Sequence, residues 1–136
     1  GYIDESIYPL FPFGYGLTYT DFVYSEVKLS KDTMTKEEAV TATVTVINTG
    51  TRDAVETVQL YLWDVTGSVV RPEKMLKGFQ KVSLKAGESK EVSFAITEDM
   101  LRFYNIDMEF VSEPGRFVAY IGSDSSTKNG AEFRLV

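Results

Sequence analysis

The run EAVTATVTVINTG, residues Glu38–Gly50, sets Val40, Ala42, Val44 and Val46 on one face of an extended chain and Thr41, Thr43 and Thr45 on the other. Successive side chains point to opposite faces of a strand. Val and Thr are β-branched, which suits a half-buried strand and disfavours a helix. Asn48-Thr49-Gly50 ends the run with residues that tolerate positive φ. The same period extends outward on both sides. FVYSEVKLS (Phe22–Ser30) precedes it, and AVETVQLYLWDV (Ala54–Val65) follows. There Val58, Leu60 and Leu62 oppose Thr57, Gln59, Tyr61 and Trp63. Large side chains on both faces mark a central strand with one wall partly covered.

Further along, KMLKGFQKVSL leads to a turn at Lys85-Ala86-Gly87, and ESKEVSFAI places Val92, Phe94 and Ile96 inside. Thr97 is placed to cap one helical turn, Glu98-Asp99-Met100-Leu101, its hydroxyl meeting a free backbone N–H and the acids favouring the positive helix end. Glu113-Pro114-Gly115 reads as a turn, RFVAYIGSD as a strand with Phe117, Ala119 and Ile121 on one side, and FRLV as a short last strand. About seven or eight strands spaced by turns, with no βα alternation, predict an all-β fold. Its form is a two-sheet antiparallel sandwich of the immunoglobulin or fibronectin type III-like kind.

Composition narrows the chemistry. A chain of 136 residues, 43% hydrophobic, is one globular domain with a real core. A net charge of -6 argues against nucleic acid, whose phosphates need clustered Lys and Arg. No run of about twenty apolar residues is present to span a bilayer. Zero cysteine removes disulfides and thiolate chemistry, and zero histidine removes Ser-His-Asp triads and His general bases. Gly1 does not look like a natural start, so the chain is expected to be a segment of something longer.

Before the first strand lies FPFGYGLTYT (Phe11–Thr20), with four aromatics and no charge. Residues 1–21 lack alternation and read as an interdomain linker; residues 22–136 read as the sandwich. Phe11, Phe13, Tyr15, Leu17 and Tyr19 could together bury a few hundred Å² of apolar surface, at about 25 cal/mol per Å². Pro12 stiffens the ribbon, and Gly14 and Gly16 let its backbone approach a neighbour. Those two glycines do not form a phosphate loop, since no strand precedes them and no Lys-Ser/Thr follows.

A glycosidase-type acid pair needs two carboxyls about 5–5.5 Å or roughly 6.5–9.5 Å apart. Asp107 and Glu109, two apart near Phe110, would share one face of a strand. Glu37 with Glu38, and Glu98 with Asp99, are adjacent and diverge or lie in turns. All read more simply as solvated charges. Asp124 with Ser123 and Ser125 offers oxygen ligands to calcium, but one acid is a poor start and the segment is ordinary loop chemistry. Tyr61, Trp63 and Tyr120 could form an exposed row of rings for stacking on sugars, or pack beneath loops or a partner domain.

In order along the chain stand PLFPFGYGLTYT (Pro9–Thr20), VTVINTG with VETVQLYL, VVRPEKMLKGFQKVSLKAGESKEVSF, LRFYN and VSEPGRFVAYIGSDSS. From about Tyr8 to Ser126 this resembles the C-terminal fibronectin type III-like domain of glycoside hydrolase family 3, the β-glucosidases and β-xylosidases. The resemblance implies that the nucleophilic aspartate and acid/base glutamate lie upstream, on a (β/α)8 barrel and a following α/β domain. No position here matches those motifs, so no catalytic residue and no cofactor is carried over.

The resemblance further implies a non-catalytic module of a periplasmic or secreted enzyme. It would brace the catalytic domains, and shape substrate access or dimer contacts. Its partners are the upstream domains of the same polypeptide, with a second copy as another candidate, and neither nucleic acid nor membrane. The ribbon then packs between the α/β domain and the sandwich, giving Phe11, Phe13, Tyr15, Leu17 and Tyr19 as interface residues. Arg71 beside the rigid Pro72 could fork onto a carboxylate of the catalytic body, or equally bond an acid within the domain. The rival readings are a carbohydrate-binding module using Tyr61, Trp63 and Tyr120, and a free-standing adhesion or scaffold domain.

Overall fold

A computed structural model describes residues 22–65 and 73–136. Eleven strands occur among them: β1 (Phe22–Tyr24), β2 (Lys28–Leu29), β3 (Thr33–Met34), β4 (Ala39–Asn48), β5 (Ala54–Asp64), β6 (Met75–Leu84), β7 (Ser89–Thr97), β8 (Phe103–Tyr104), β9 (Phe110–Val111), β10 (Gly115–Gly122) and β11 (Gly130–Leu135). Seven of these have three residues or more, the number that alternation predicts; the other four are two-residue strands that no periodicity could announce. FVYSEVKLS is not one strand. It breaks between β1 and β2, where Ser25 donates its N–H to Thr45 O at 2.9 Å and accepts the Thr45 N–H on its hydroxyl at 2.8 Å.

In one sheet β4 pairs with β7 on one side and with β1 and β2 on the other. The facing sheet runs β3-β11-β10-β5-β6, so β5 is interior as expected. Two features depart from the simple antiparallel sandwich. β3 joins β11 in parallel, and β8 with β9 forms a separate two-stranded hairpin.

Between the sheets, Val40, Ala42, Val44 and Val46 of β4 and Val92, Phe94 and Ile96 of β7 meet Val58, Leu60, Phe117, Ala119, Ile121 and Phe133. Phe117 and Phe133, cross-strand partners, stack with centroids 5.6 Å apart. Asn48 is the most deeply buried of three buried polar residues among those described, with Ser112 and Asn129. Its amide donates to Arg52 O at 2.8 Å and Leu84 O at 3.1 Å, and its side-chain oxygen accepts the Gly50 N–H at 2.9 Å. Its main chain bonds Gly87 and Glu88 in the turn opposite. A buried amide is tolerated when its donors and acceptor are matched in this way. Gly87 takes φ +80°, the left-handed conformation that the Lys85-Ala86-Gly87 turn demands of a glycine.

Thr97 precedes a single 3₁₀ turn over Glu98–Leu101, where a helical turn is expected. Its hydroxyl donates to the Asp99 carboxylate and its backbone N–H to the Met100 sulfur at 3.5 Å.

Candidate functional site

The expected interface residues Phe11, Phe13, Tyr15, Leu17, Tyr19, Arg71 and Pro72 lie outside the described residues, as does the proposed linker 1–21. The three ring residues named for sugar stacking are all described. They share the outer face of the five-stranded sheet: Tyr120 of β10 pairs with Tyr61 of β5, and Val118 with Trp63.

They are not equivalent, and the exposed row of three does not form. Tyr61 is only 7% exposed and donates its hydroxyl to the Gln59 carboxamide. A bulge explains part of this. β6 carries one extra residue, Lys77, between the partners of Leu60 and Tyr61, so Leu76 lands opposite Tyr61 while Tyr120 flanks it on the other side. Trp63 and Tyr120 remain half-buried and line an open cleft of about 340 Å³ with Glu73, Lys74 and Ser125. Lys74 holds its ammonium 4.3 Å from the Tyr120 ring centroid and donates to Thr127 O. Burial holds the Lys74 amine below its ordinary pKa and pushes the Tyr120 phenol up.

The carboxylates are dispersed. Asp107 lies in the turn of the β8–β9 hairpin rather than on a strand. Asn105 shapes that turn, its side-chain oxygen accepting the Asp107 and Glu109 N–H groups at 2.9 Å each. Glu98 forms an ion pair with Arg102 at 2.8 Å, and hydrogen bonds from Arg102 and Ser112 hold its carboxyl below the usual range. Glu38 accepts the Thr35 N–H at 2.9 Å and pairs with Lys31 at 3.3 Å. Asp124 spends one oxygen on Ser126, accepting its N–H at 2.9 Å and its hydroxyl at 2.5 Å, so it orders its own loop. Among the described residues no group of three or more acidic side chains converges as a metal site would require.

Two features escaped the sequence reading. One is a half-buried clasp between the sheets: Tyr24 of β1 donates to Glu56 of β5 at 2.8 Å, and burial raises the Glu56 carboxyl above its ordinary pKa. Both residues sit in strands that alternation marks, but their meeting is a tertiary fact. The other is the β8–β9 hairpin. Tyr104, Ile106, Met108 and Phe110 are all exposed on it, Ile106 by 86%, and the Tyr104 and Phe110 rings lie 5.0 Å apart. The four apolar residues at alternate positions in YNIDMEF were the available signal.

These surfaces define a class of protein: a β-sandwich module that presents an apolar hairpin and an aromatic cleft, with no poised pair of acid and base among its described residues. Residues 56–125 match the fibronectin type III-like domain family, and the chain belongs to that family as a non-catalytic domain. It is 50% identical over 135 residues to a periplasmic β-glucosidase of Salmonella typhimurium, matching 99% of this chain and 18% of that protein. It is 49% identical to a putative β-xylosidase of Formosa agariphila over the same shares. Among solved structures, a β-glucosidase from Listeria innocua in complex with glucose aligns with TM-score 0.80 at 37% identity, over 99% of this chain and 19% of that one. The chain thus spans less than a fifth of the length of these relatives.

Proposed function

We propose that the chain is the fibronectin type III-like module of a family 3 glycoside hydrolase of the β-glucosidase or β-xylosidase type, and that it braces the catalytic domains. The observation that carries the reading is the near-complete match of this chain to a small part of much longer hydrolases. A glucosidase and a xylosidase share the module at nearly equal identity, which supports a role in architecture rather than in the choice of sugar. The exposed hairpin adds a physical reason, because a fixed cluster of apolar side chains in water marks a contact surface. The aromatic ribbon with Phe11, Phe13, Tyr15, Leu17 and Tyr19, and the loop with Arg71 and Pro72, are proposed as further contacts with the catalytic body. A second copy of the chain is the competing partner. A periplasmic or secreted location goes with the Salmonella relative, which is named as periplasmic.

The test uses the full-length parent with Ile106→Asp and Met108→Asp combined. Both side chains are strongly exposed, so the sandwich itself should keep its melting temperature as an isolated chain. The parent should melt several degrees lower and lose glycosidase activity in proportion. A parent unchanged in both respects removes the hairpin from the brace. A parent gene with no hydrolase upstream favours the free-standing scaffold and overturns the assignment as a whole.

A further inference from the structure

We propose that the tip of the β8–β9 hairpin, with Met108 as its anchor, seats in an apolar pocket rimmed by lysine or arginine on the catalytic body of the same polypeptide. The inference rests on the bracing role proposed above and names the contact that performs it. Among the described residues Met108 is the single non-glycine at positive φ, +62°. Asn105 accepts the Met108 N–H on its carbonyl and donates its own N–H to Glu109 O, both at 2.9 Å. That is the pattern of a three-residue hairpin loop, Ile106-Asp107-Met108, whose third residue is left-handed and ordinarily glycine. A Cβ in that conformation crowds the backbone, so methionine lowers stability where glycine would not. The Asn105 side chain enforces the loop, its oxygen taking the Asp107 and Glu109 N–H groups and its amide donating to the Glu109 carboxylate at 3.1 Å. A strained residue that its surroundings hold in place points to a use outside the domain.

What the strain maintains is presentation. Met108 is 75% exposed and Ile106 still more so, while the base of the hairpin is tied down: Phe103 is buried, and Ser112 donates to Glu98 at 2.5 Å. An apolar side chain held out from a fixed base is ordered before contact, which lowers the entropy lost on docking. Methionine, unbranched and polarizable, fills irregular pockets. Charge selects the occupant. Between Phe103 and Ser112 stand the exposed Asp107 and Glu109 and no lysine or arginine, and Arg102 just before them is engaged by Glu98. Two copies meeting tip to tip would set these acids against themselves, on chains that each carry a net charge of -6. A basic rim complements them instead. In the β-glucosidase and β-xylosidase relatives the matching segment is 18% of the protein, and the remainder is the body available to supply that rim.

The test compares Met108→Gly in the 136-residue chain and in the full-length parent. The isolated chain should melt about 2 °C higher, because glycine enters the left-handed region freely. The parent should instead lose activity on heating about tenfold faster, the scale of one large apolar side chain lost from a buried contact. Opposite signs are the signature, since a residue with a purely internal role moves both the same way. Asp107→Lys should leave the melting of the isolated chain unchanged and speed inactivation of the parent about two- to threefold, a difference that shrinks in about 1 M salt. Met108→Gly that lowers the melting temperature of the isolated chain overturns the strain argument, and a parent at least as durable with it overturns the anchor. Asp107→Lys that leaves the parent unchanged or more durable overturns the basic rim. Sedimentation in which the wild-type chain dimerises and Met108→Gly does not gives the pocket to a second copy, which also overturns the proposal. Deleting the whole module from the parent separates this contact from the brace. If the shortened parent decays faster while Met108→Gly does not, the brace stands and the anchor falls; if it decays as the wild type does, both fall.

Discussion

Asn48 ties one end of the sandwich together. Its amide and main chain join β4, the turn that follows it, β6 and the turn before β7 through five hydrogen bonds at 0% exposure. Replacing it with leucine of similar bulk removes the partner of two carbonyls and one N–H, the Leu84 carbonyl at a buried position, and Asn48→Leu should cost about 3 kcal/mol in urea unfolding. The half-buried Glu56 makes a different prediction. Its folded pKa is raised above the ordinary 4.5, chiefly by burial, while the Tyr24 hydroxyl opposes the rise. The unfolded chain then ionises first. The stabilising contribution of this group is complete below the unfolded pKa and is lost as pH rises through the higher folded value. Glu56→Gln keeps a hydrogen-bond acceptor for Tyr24 and removes the titration. Wild type minus variant stability should therefore fall as pH goes from 4 towards neutrality. A difference that is flat, or rises with pH, would show Glu56 ionised at no cost. The carboxyls Glu38, Glu98 and Glu132 are shifted the other way, mainly by hydrogen bonds, and cancel in this difference.

Strand by strand, legibility followed length. β4, β5, β7 and β10 could be read because each presents at least three inward apolar residues at period two, and those residues are the core. β2, β3, β8 and β9 have two residues each and exist only because a neighbour supplies their hydrogen bonds. The site was legible in part for a related reason. Period two put Tyr61, Trp63 and Tyr120 on outer faces, but whether an outer face is open depends on what pairs beside it, and the β6 bulge that sets Leu76 against Tyr61 leaves no periodic trace. The open side of the sandwich is likewise closed by specific atoms. Gln80 of β6 donates to Ser93 O of β7 at 2.6 Å, and Lys90 of β7 donates to Ser83 O of β6 at 2.8 Å. Such side chains cover the free carbonyls of edge strands, which otherwise template pairing with another chain. Gln80→Val with Lys90→Val should speed concentration-dependent aggregation, followed by light scattering, well before it lowers the melting temperature by more than a few degrees. Equal aggregation of variant and wild type would remove the protective role.

For the molecule as a whole, the proposed boundary at residue 22 carries the largest energetic consequence. The buried core among the described residues runs from Val27 to Leu135, and the described strands of both sheets begin at Phe22. If Phe11, Phe13, Tyr15, Leu17 and Tyr19 packed on their own sandwich, about 400 Å² of apolar burial would be worth up to about 10 kcal/mol. That is comparable to the whole stability expected of a domain this size, about 0.1 kcal/mol per residue. If instead the leader belongs to a joint with another domain, its removal costs the isolated sandwich almost nothing. The two cases differ by far more than any measurement error. Residues 22–136 alone should unfold in a single cooperative step within a few degrees of the full chain, and should stay more soluble, because the uncharged aromatic ribbon is gone. The same deletion in the full-length parent should detach the sandwich from the catalytic body. Loss of cooperative unfolding in the shortened chain would mean that the leader completes the core, and would move the domain boundary to the start of the sequence.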